Sequence, residues 1–164
     1  MDTRPTTDRI KGKPLFNMLQ TYIPDCVFVD IFSGSGGIGI EALAAVQKAY
    51  FIENAPKALA CIEDNLAFTK MKDRAIVLKQ DACAGLTGIY EKHVDVIFMD
   101  PPYDQEQERR VLEQLRYAKY VSEETLILVE ASLHTDFSYA EDLGFEVIRE
   151  KKYKTNKHVF LRKK

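Results

Sequence analysis

The segment Val29-Asp30-Ile31-Phe32-Ser33-Gly34-Ser35-Gly36-Gly37-Ile38-Gly39 runs from an apolar strand pattern into a glycine-rich turn and then into a helical pattern. Gly34, Gly36 and Gly39 fit a bare G-x-G-x-x-G spacing, which lets backbone approach a ligand closely at the start of a helix. A tight strand-to-helix turn also needs glycine for its geometry alone, so this spacing selects a β-turn-α unit before it selects any ligand.

The rest of the chain repeats that unit. Strand patterns fall at 27–32, 49–53, 75–79, 94–99, 125–130, 145–150 and 158–161, and amphipathic stretches separate the first five. Ile38, Ile40, Leu43, Ala44 and Val46 are expected on one helix face, Leu59, Ile62, Leu66 and Ala67 on the next, and Val111, Leu112, Leu115, Ala118 and Tyr120 on a later one. Runs such as Val94 to Met99 are nearly continuous in apolar character, as in parallel strands covered on both faces. The predicted class is α/β. The last two strands are joined by Lys151 to Lys157, too short for a crossover helix, so they are expected to pair antiparallel at one side of the sheet.

At 164 residues, 46% of them apolar, the chain is expected to form a single domain spanning 1–164, with 1–24 as an N-terminal segment and 25–164 as the core. No apolar run approaches the length of a membrane span, and no apolar h-region follows the charged first residues, so a cytoplasmic protein without membrane contact is expected. Cys26, Cys61 and Cys83 are odd in number and form no C-x-x-C pair, and His93, His134 and His158 are scattered, which argues against a metal centre. The net charge of -2 conceals a division: residues 149–164 carry +7 and residues 1–148 carry -9. A basic edge on an acidic body can hold a polyanion locally, and it can equally be a solvated edge strand protected from aggregation.

Acids punctuate the carboxyl ends of the predicted strands, the edge where open α/β sheets bind ligands. Asp30 precedes the first glycine, where a carboxylate would repel a pyrophosphate and suit the zwitterionic methionine end of S-adenosylmethionine better than a nicotinamide cofactor. Glu53 ends the second strand and is suited to accept from two ribose hydroxyls. Asp81 follows the third strand and suits either an adenine amine or the cap of a helix beginning at Ala82. After the fourth strand comes Asp100-Pro101-Pro102-Tyr103. The prolines lock the backbone and remove two N–H donors, leaving a carboxylate, rigid carbonyls and an aromatic ring for a planar base that carries an amine.

Asp30 to Gly36 together with Asp100 to Tyr103 resemble the class I S-adenosylmethionine-dependent methyltransferases of exocyclic amines. Arg4-Pro5-Thr6-Thr7-Asp8-Arg9, followed by Leu15-Phe16-Asn17-Met18-Leu19, resembles the opening of the RsmD-type enzymes, which act on guanine N2 of small-subunit ribosomal RNA. The likeness runs through Lys152-Tyr153-Lys154. It implies a Rossmann-like α/β fold: a mostly parallel seven-stranded sheet, helices on both faces and an antiparallel C-terminal strand.

The resemblance assigns roles residue by residue. Asp30, Gly34 and Gly36 would meet the methionine part of the cofactor, Glu53 the ribose, and Asp81 with Ala82 the adenine; Phe32, Ser35 and Asn54 complete the cofactor set. Asp100, Pro101, Pro102 and Tyr103 would form the base pocket. Arg4, Thr6 and Thr7 would lie near the cofactor and incoming nucleotide, and Lys151, Lys152, Tyr153 and Lys154 on the RNA, with Lys157 among the phosphate-positioning lysines. The implied partner is ribosomal RNA, naked or in a partly assembled small subunit, and the protein is expected to be a monomer without metal. Rival readings are methylation of a DNA adenine or cytosine amine or a protein glutamine amide, a nicotinamide oxidoreductase, and a non-catalytic RNA-binding module.

Overall fold

The computed structural model describes residues 26–44 and 46–164. The strands form a seven-stranded sheet in the order β3-β2-β1-β4-β5-β7-β6. The chain divides into two compact units, one ending at Ile89 and the other running from Tyr90 to Lys164.

In the first unit the described elements are β1 (Val27–Ile31), α1 (Gly37–Leu43), β2 (Lys48–Ile52), α2 (Pro56–Thr69), β3 (Ala75–Leu78) and α3 (Ala82–Leu86). The strands pair parallel, Ile31 with Ile52 and Ile52 with Leu78. Phe28, Ile31, Phe51, Ile52, Leu43, Ile62 and Leu66 are fully buried, so the continuous apolar strands fill both sides of their layer. Helix α1 lies close on β2 because position 39 has no side chain: a Cβ there would stand 2.4 Å from Phe51 Cε2. The α1 helix also ends earlier than its apolar pattern suggests. Ala44 is an exposed C-cap and Val46 is buried beyond the helix, while Arg74 Nη1 donates to the Leu43 and Val46 carbonyls, both at 2.8 Å. A cation on terminal carbonyls is favourable at a helix C-terminus. Along α2 the buried positions are Ala58, Ile62 and Leu66; Ala67, expected inside, is exposed. Its small side chain gives up little by facing water.

The second unit contains β4 (Val96–Met99), α4 (Gln107–Leu115), β5 (Leu126–Ser132), β6 (Phe145–Lys152) and β7 (Asn156–Lys163). β4 and β5 pair parallel from Val96 with Leu126 to Met99 with Val129, and β7 pairs antiparallel with both β5 and β6. The single antiparallel strand is therefore β7, and β6 is the sheet edge. Helix α4 buries Val111, Leu112 and Leu115 and ends there; Ala118 and Tyr120 lie past it, Tyr120 buried. The basic connection expected at 151–157 is shorter than the charge pattern implies. Strand pairing takes in Lys151, Lys152 and Lys157, leaving 153–155 as the turn.

Candidate functional site

In the first unit the turn after β1 is held by backbone geometry that a continuous strand or helix would not allow. Phe32, Gly34 and Gly36 all adopt positive φ, 61°, 59° and 79°. For Phe32 this conformation is costly, of order 1–3 kcal/mol, and persists only where the surroundings impose it. Here the Phe32 and Ser33 N–H groups both donate to the Ile52 carbonyl (3.1 and 3.2 Å), and the Ser33 hydroxyl donates to the Asp30 carbonyl at 2.6 Å. The turn is thereby tied to both strands that flank it.

The two acids flanking this turn do more than the sequence suggests. Asp30 is only 1% exposed, and its Oδ2 accepts the Gly39 N–H at 3.1 Å, satisfying a donor in the first turn of α1. Glu53 is half-buried. Its Oε1 accepts the Gly34 N–H at 2.8 Å and its Oε2 accepts from Asn54 and Ala55 N–H at 3.1 and 3.0 Å. Asn65 adds a hydrogen bond from its amide to the Ser35 carbonyl at 3.2 Å. Both carboxylates thus shape the glycine turn through backbone donors, which strand-end spacing could not reveal. Asp81 caps α3, its Oδ1 accepting from Ala84 N–H at 2.8 Å, so the capping alternative is realised. Ala82 is buried behind it and Asn54 is exposed.

These residues fit S-adenosylmethionine. A Cβ built on Gly34 would meet nothing within 4 Å, so the chain leaves the backbone there open to close approach. A carboxylate already orders each side of the turn, and this negative lining complements a cationic sulfonium and ammonium while opposing a pyrophosphate. Glu53 also keeps acceptor capacity, since a carboxylate offers about four lone-pair sites.

In the second unit, Asp100 to Tyr103 directly follow β4. Asp100 is half-buried, Pro101 buried and Pro102 exposed, and Tyr103 is 44% exposed despite its large ring. Asp104 and Glu106 then adopt φ of 61° and 53°, so two left-handed residues without glycine carry the chain into α4. Locked prolines on one side and strained residues on the other fix the direction of the Tyr103 backbone.

The hairpin sorts its lysines into different classes. Lys151 and Lys154 are exposed, with Lys151 Nζ 5.5 Å from the Tyr153 ring centroid. Lys152 is exposed and lies 3.7 Å from Glu150. Lys157 corrects the expectation of a phosphate contact: it is buried, donates to the Thr135 carbonyl at 2.7 Å and lies 3.6 Å from Glu150. Tyr153 is half-buried, and burial raises its phenol above the usual range. Sequence reasoning passed over Glu130 and His158, buried and paired at 3.2 Å, because each sits alone in an apolar strand. Arg4, Thr6 and Thr7 lie outside the described residues.

Comparison with known proteins shows the family and the fold. The sequence model of the family described as "Conserved hypothetical protein 95" matches residues 1–162. "Ribosomal RNA small subunit methyltransferase D" of Haemophilus influenzae is 33% identical over 130 residues, 77% of this chain and 67% of that protein. The Escherichia coli K12 protein of the same name is 31% identical over 131 residues, 79% of this chain and 65% of its own length. The match thus spans about two thirds of these curated relatives. A solved Streptococcus pyogenes protein superposes with a TM-score of 0.80 at 28% identity, covering 93% of this chain and 95% of that one. With the strand order of a class I methyltransferase and the glycine and Asp-Pro-Pro-Tyr turns in place, this chain belongs to that conserved family, the RsmD-type methyltransferases.

Proposed function

We propose that this protein transfers a methyl group from S-adenosylmethionine to the exocyclic N2 amine of a guanine in small-subunit ribosomal RNA. The names of its relatives support ribosomal RNA as the substrate class. The observation that carries the reading is the Asp100-Pro101-Pro102-Tyr103 turn, which offers a half-buried carboxylate, rigid carbonyls and a half-exposed ring beside one another.

The cofactor supplies an electrophilic methyl group on a sulfonium. In this assignment Asp30, Phe32, Gly34, Ser35 and Gly36 hold its methionine end, Glu53 and Asn54 its ribose, and Asp81 with Ala82 its adenine. A guanine amine is a poor nucleophile because its lone pair is delocalised into the ring. Asp100 and the Pro101 carbonyl accept its two hydrogens, which favours a pyramidal nitrogen, and Asp100 takes the proton released after attack. Tyr103 stacks on the base once it has left its helix, worth roughly 1–3 kcal/mol. Lys151, Lys152 and Lys154 hold phosphates and read no sequence, with Tyr153 beside them. Arg4, Thr6 and Thr7 contribute from the N-terminal segment.

Ribosomal RNA from a strain lacking the gene, incubated with the protein and labelled cofactor, then digested for mass spectrometry, tests this. The expected label is on one guanine N2 of the small-subunit RNA. Label on an adenine or cytosine amine, or on protein alone, would replace the guanine assignment; a melting temperature raised by NAD and unmoved by S-adenosylhomocysteine would remove methyl transfer altogether.

A further inference from the structure

Arg109, Tyr139, Phe137 and Lys157 come from three separate stretches of the second unit and stack into one column. The Arg109 guanidinium lies 5.0 Å from the Tyr139 ring centroid, the Tyr139 and Phe137 rings are stacked with centroids 6.0 Å apart at 27°, and Lys157 Nζ lies 5.7 Å from the Phe137 centroid. A cation over an aromatic face is attracted by the ring quadrupole. At the inner end the column is fixed: Phe137 and Lys157 are buried, and Lys157 donates to the Thr135 carbonyl at 2.7 Å. The segment that follows β5 is therefore a firm wall, and Arg109, with its side chain 47% exposed in the first turn of α4, is the outer end that leans on it.

That end stands beside the strained stretch that leads out of the Asp-Pro-Pro-Tyr turn. Helix α4 begins four residues after Tyr103, and between them Asp104 and Glu106 hold positive φ without glycine. Such conformations persist only where the surroundings hold them. Arg109 Nη1 lies 4.0 Å from Glu106 Oε1, and its Nε lies 4.0 Å from Glu113 Oε2 on the following turn. An exposed ion pair alone is weak, in part because both side chains must be ordered to make it. Here the ring column already orders the arginine. The Tyr139 hydroxyl takes no part: it is buried without a hydrogen-bond partner among the described residues, and burial, with the Glu108 carboxylate adding to it, holds the phenol above its ordinary range. The neutral ring face is what Arg109 meets.

We infer that Arg109 is a positioning residue for the target base: stacked on Tyr139, it fixes the entry to α4 and through it the direction in which Tyr103 is presented. This rests on the stacking role given to Tyr103 above. Arg109 itself touches neither the base nor the cofactor in this assignment, so its whole effect on turnover passes through Tyr103.

A double-mutant cycle in the transfer assay, with small-subunit ribosomal RNA from a strain lacking the gene, tests the inference. Arg109→Ala should lower kcat/KM for RNA about three- to tenfold, leave the KM for S-adenosylmethionine unchanged, and cause no further loss in a Tyr103→Ala background. Tyr139→Leu should match Arg109→Ala, and Tyr139→Phe, which keeps the ring, should retain most of the rate lost in Tyr139→Leu. Full activity in Arg109→Ala, or losses that multiply when Arg109→Ala and Tyr103→Ala are combined, would refute the role of Arg109 alone, and multiplied losses beside a lowered urea midpoint would assign it to stability instead. If Tyr139→Leu does not fold, the cycle with Arg109, a surface residue, decides. Full activity in Tyr103→Ala removes the stacking role and the inference with it, and absence of transfer by the wild-type protein removes the methyl-transfer reading beneath both.

Discussion

Single side chains decide whether the glycine turn can form. At position 39 a methyl group would stand 2.4 and 2.9 Å from the fully buried Phe51 ring and 3.1 Å from Asp30 Oδ2. Neither neighbour is a free surface end, so Gly39→Ala must displace α1 or the ring. We expect a loss of about 1–3 kcal/mol, read from the urea midpoint at unchanged slope. Position 34 differs: a Cβ there meets nothing, yet φ is +59°, so Gly34→Ala carries only backbone strain. At Asp100 the consequence falls on chemistry. Asp100→Ala should abolish methyl transfer while S-adenosylhomocysteine still raises the melting temperature, because the residues assigned to the cofactor lie on other strands. Parallel loss of both, measured by tritium transfer and thermal shift, would count against its assignment to the amine.

At the scale of elements, the hairpin of β6 and β7 separates lysines that look equivalent in sequence. Lys157 sits against Thr135 and Glu150 under the strand pair, so Lys157→Ala should lower thermal stability and leave RNA affinity nearly unchanged; Lys154→Ala, in the exposed turn, should do the reverse. Filter binding beside a melting curve distinguishes the two. Periodicity located the seven strands of the described residues, with ends moved by only a residue or two; β1, β4 and β5 were legible because parallel strands covered on both faces must be apolar throughout, whereas β6 buries Phe145 and exposes the rest. It could not show the burial of Lys157, because a long cationic side chain is normally solvated and only the tertiary partners reverse that. The same limit applied to Asp30 and Glu53. Their strand-end positions were legible, whereas their bonds to Gly39 and Gly34 depend on a fold that brings distant backbone donors to them. Beyond α4, burial pushes the Tyr120 phenol up to about 12. The unfolded chain releases that proton near the ordinary value of about 10, so stability is intact below it and declines as pH rises towards 12. Tyr120→Phe should flatten that alkaline decline in chemical denaturation curves.

For the whole molecule the division of charge is the governing quantity, and the structure reduces the cationic side of it. The C-terminal stretch is formally +7 against -9 elsewhere. Lys157 is spent on Thr135 and Glu150, Lys164 on Glu141, and Arg162 on the carbonyls of Glu123 and Glu124. Lys152 shares Glu150 across 3.7 Å in an exposed pair worth little, which RNA can displace. The exposed cations assigned to RNA in the hairpin are then Lys151, Lys152 and Lys154, and an acidic remainder repels the phosphate chain around them. Three phosphate contacts on single-stranded RNA release few counterions, giving a slope of roughly -2 for log affinity against log salt concentration. Affinity should therefore be weak for naked RNA and fall steadily with salt, and a triple replacement of these lysines by alanine should bring the slope close to zero while cofactor binding persists. A wild-type slope several times steeper would mean that the phosphate contacts lie elsewhere on the chain. A response already flat in the wild type would mean that binding does not rest on phosphate charge, leaving base stacking on Tyr103 to carry the affinity.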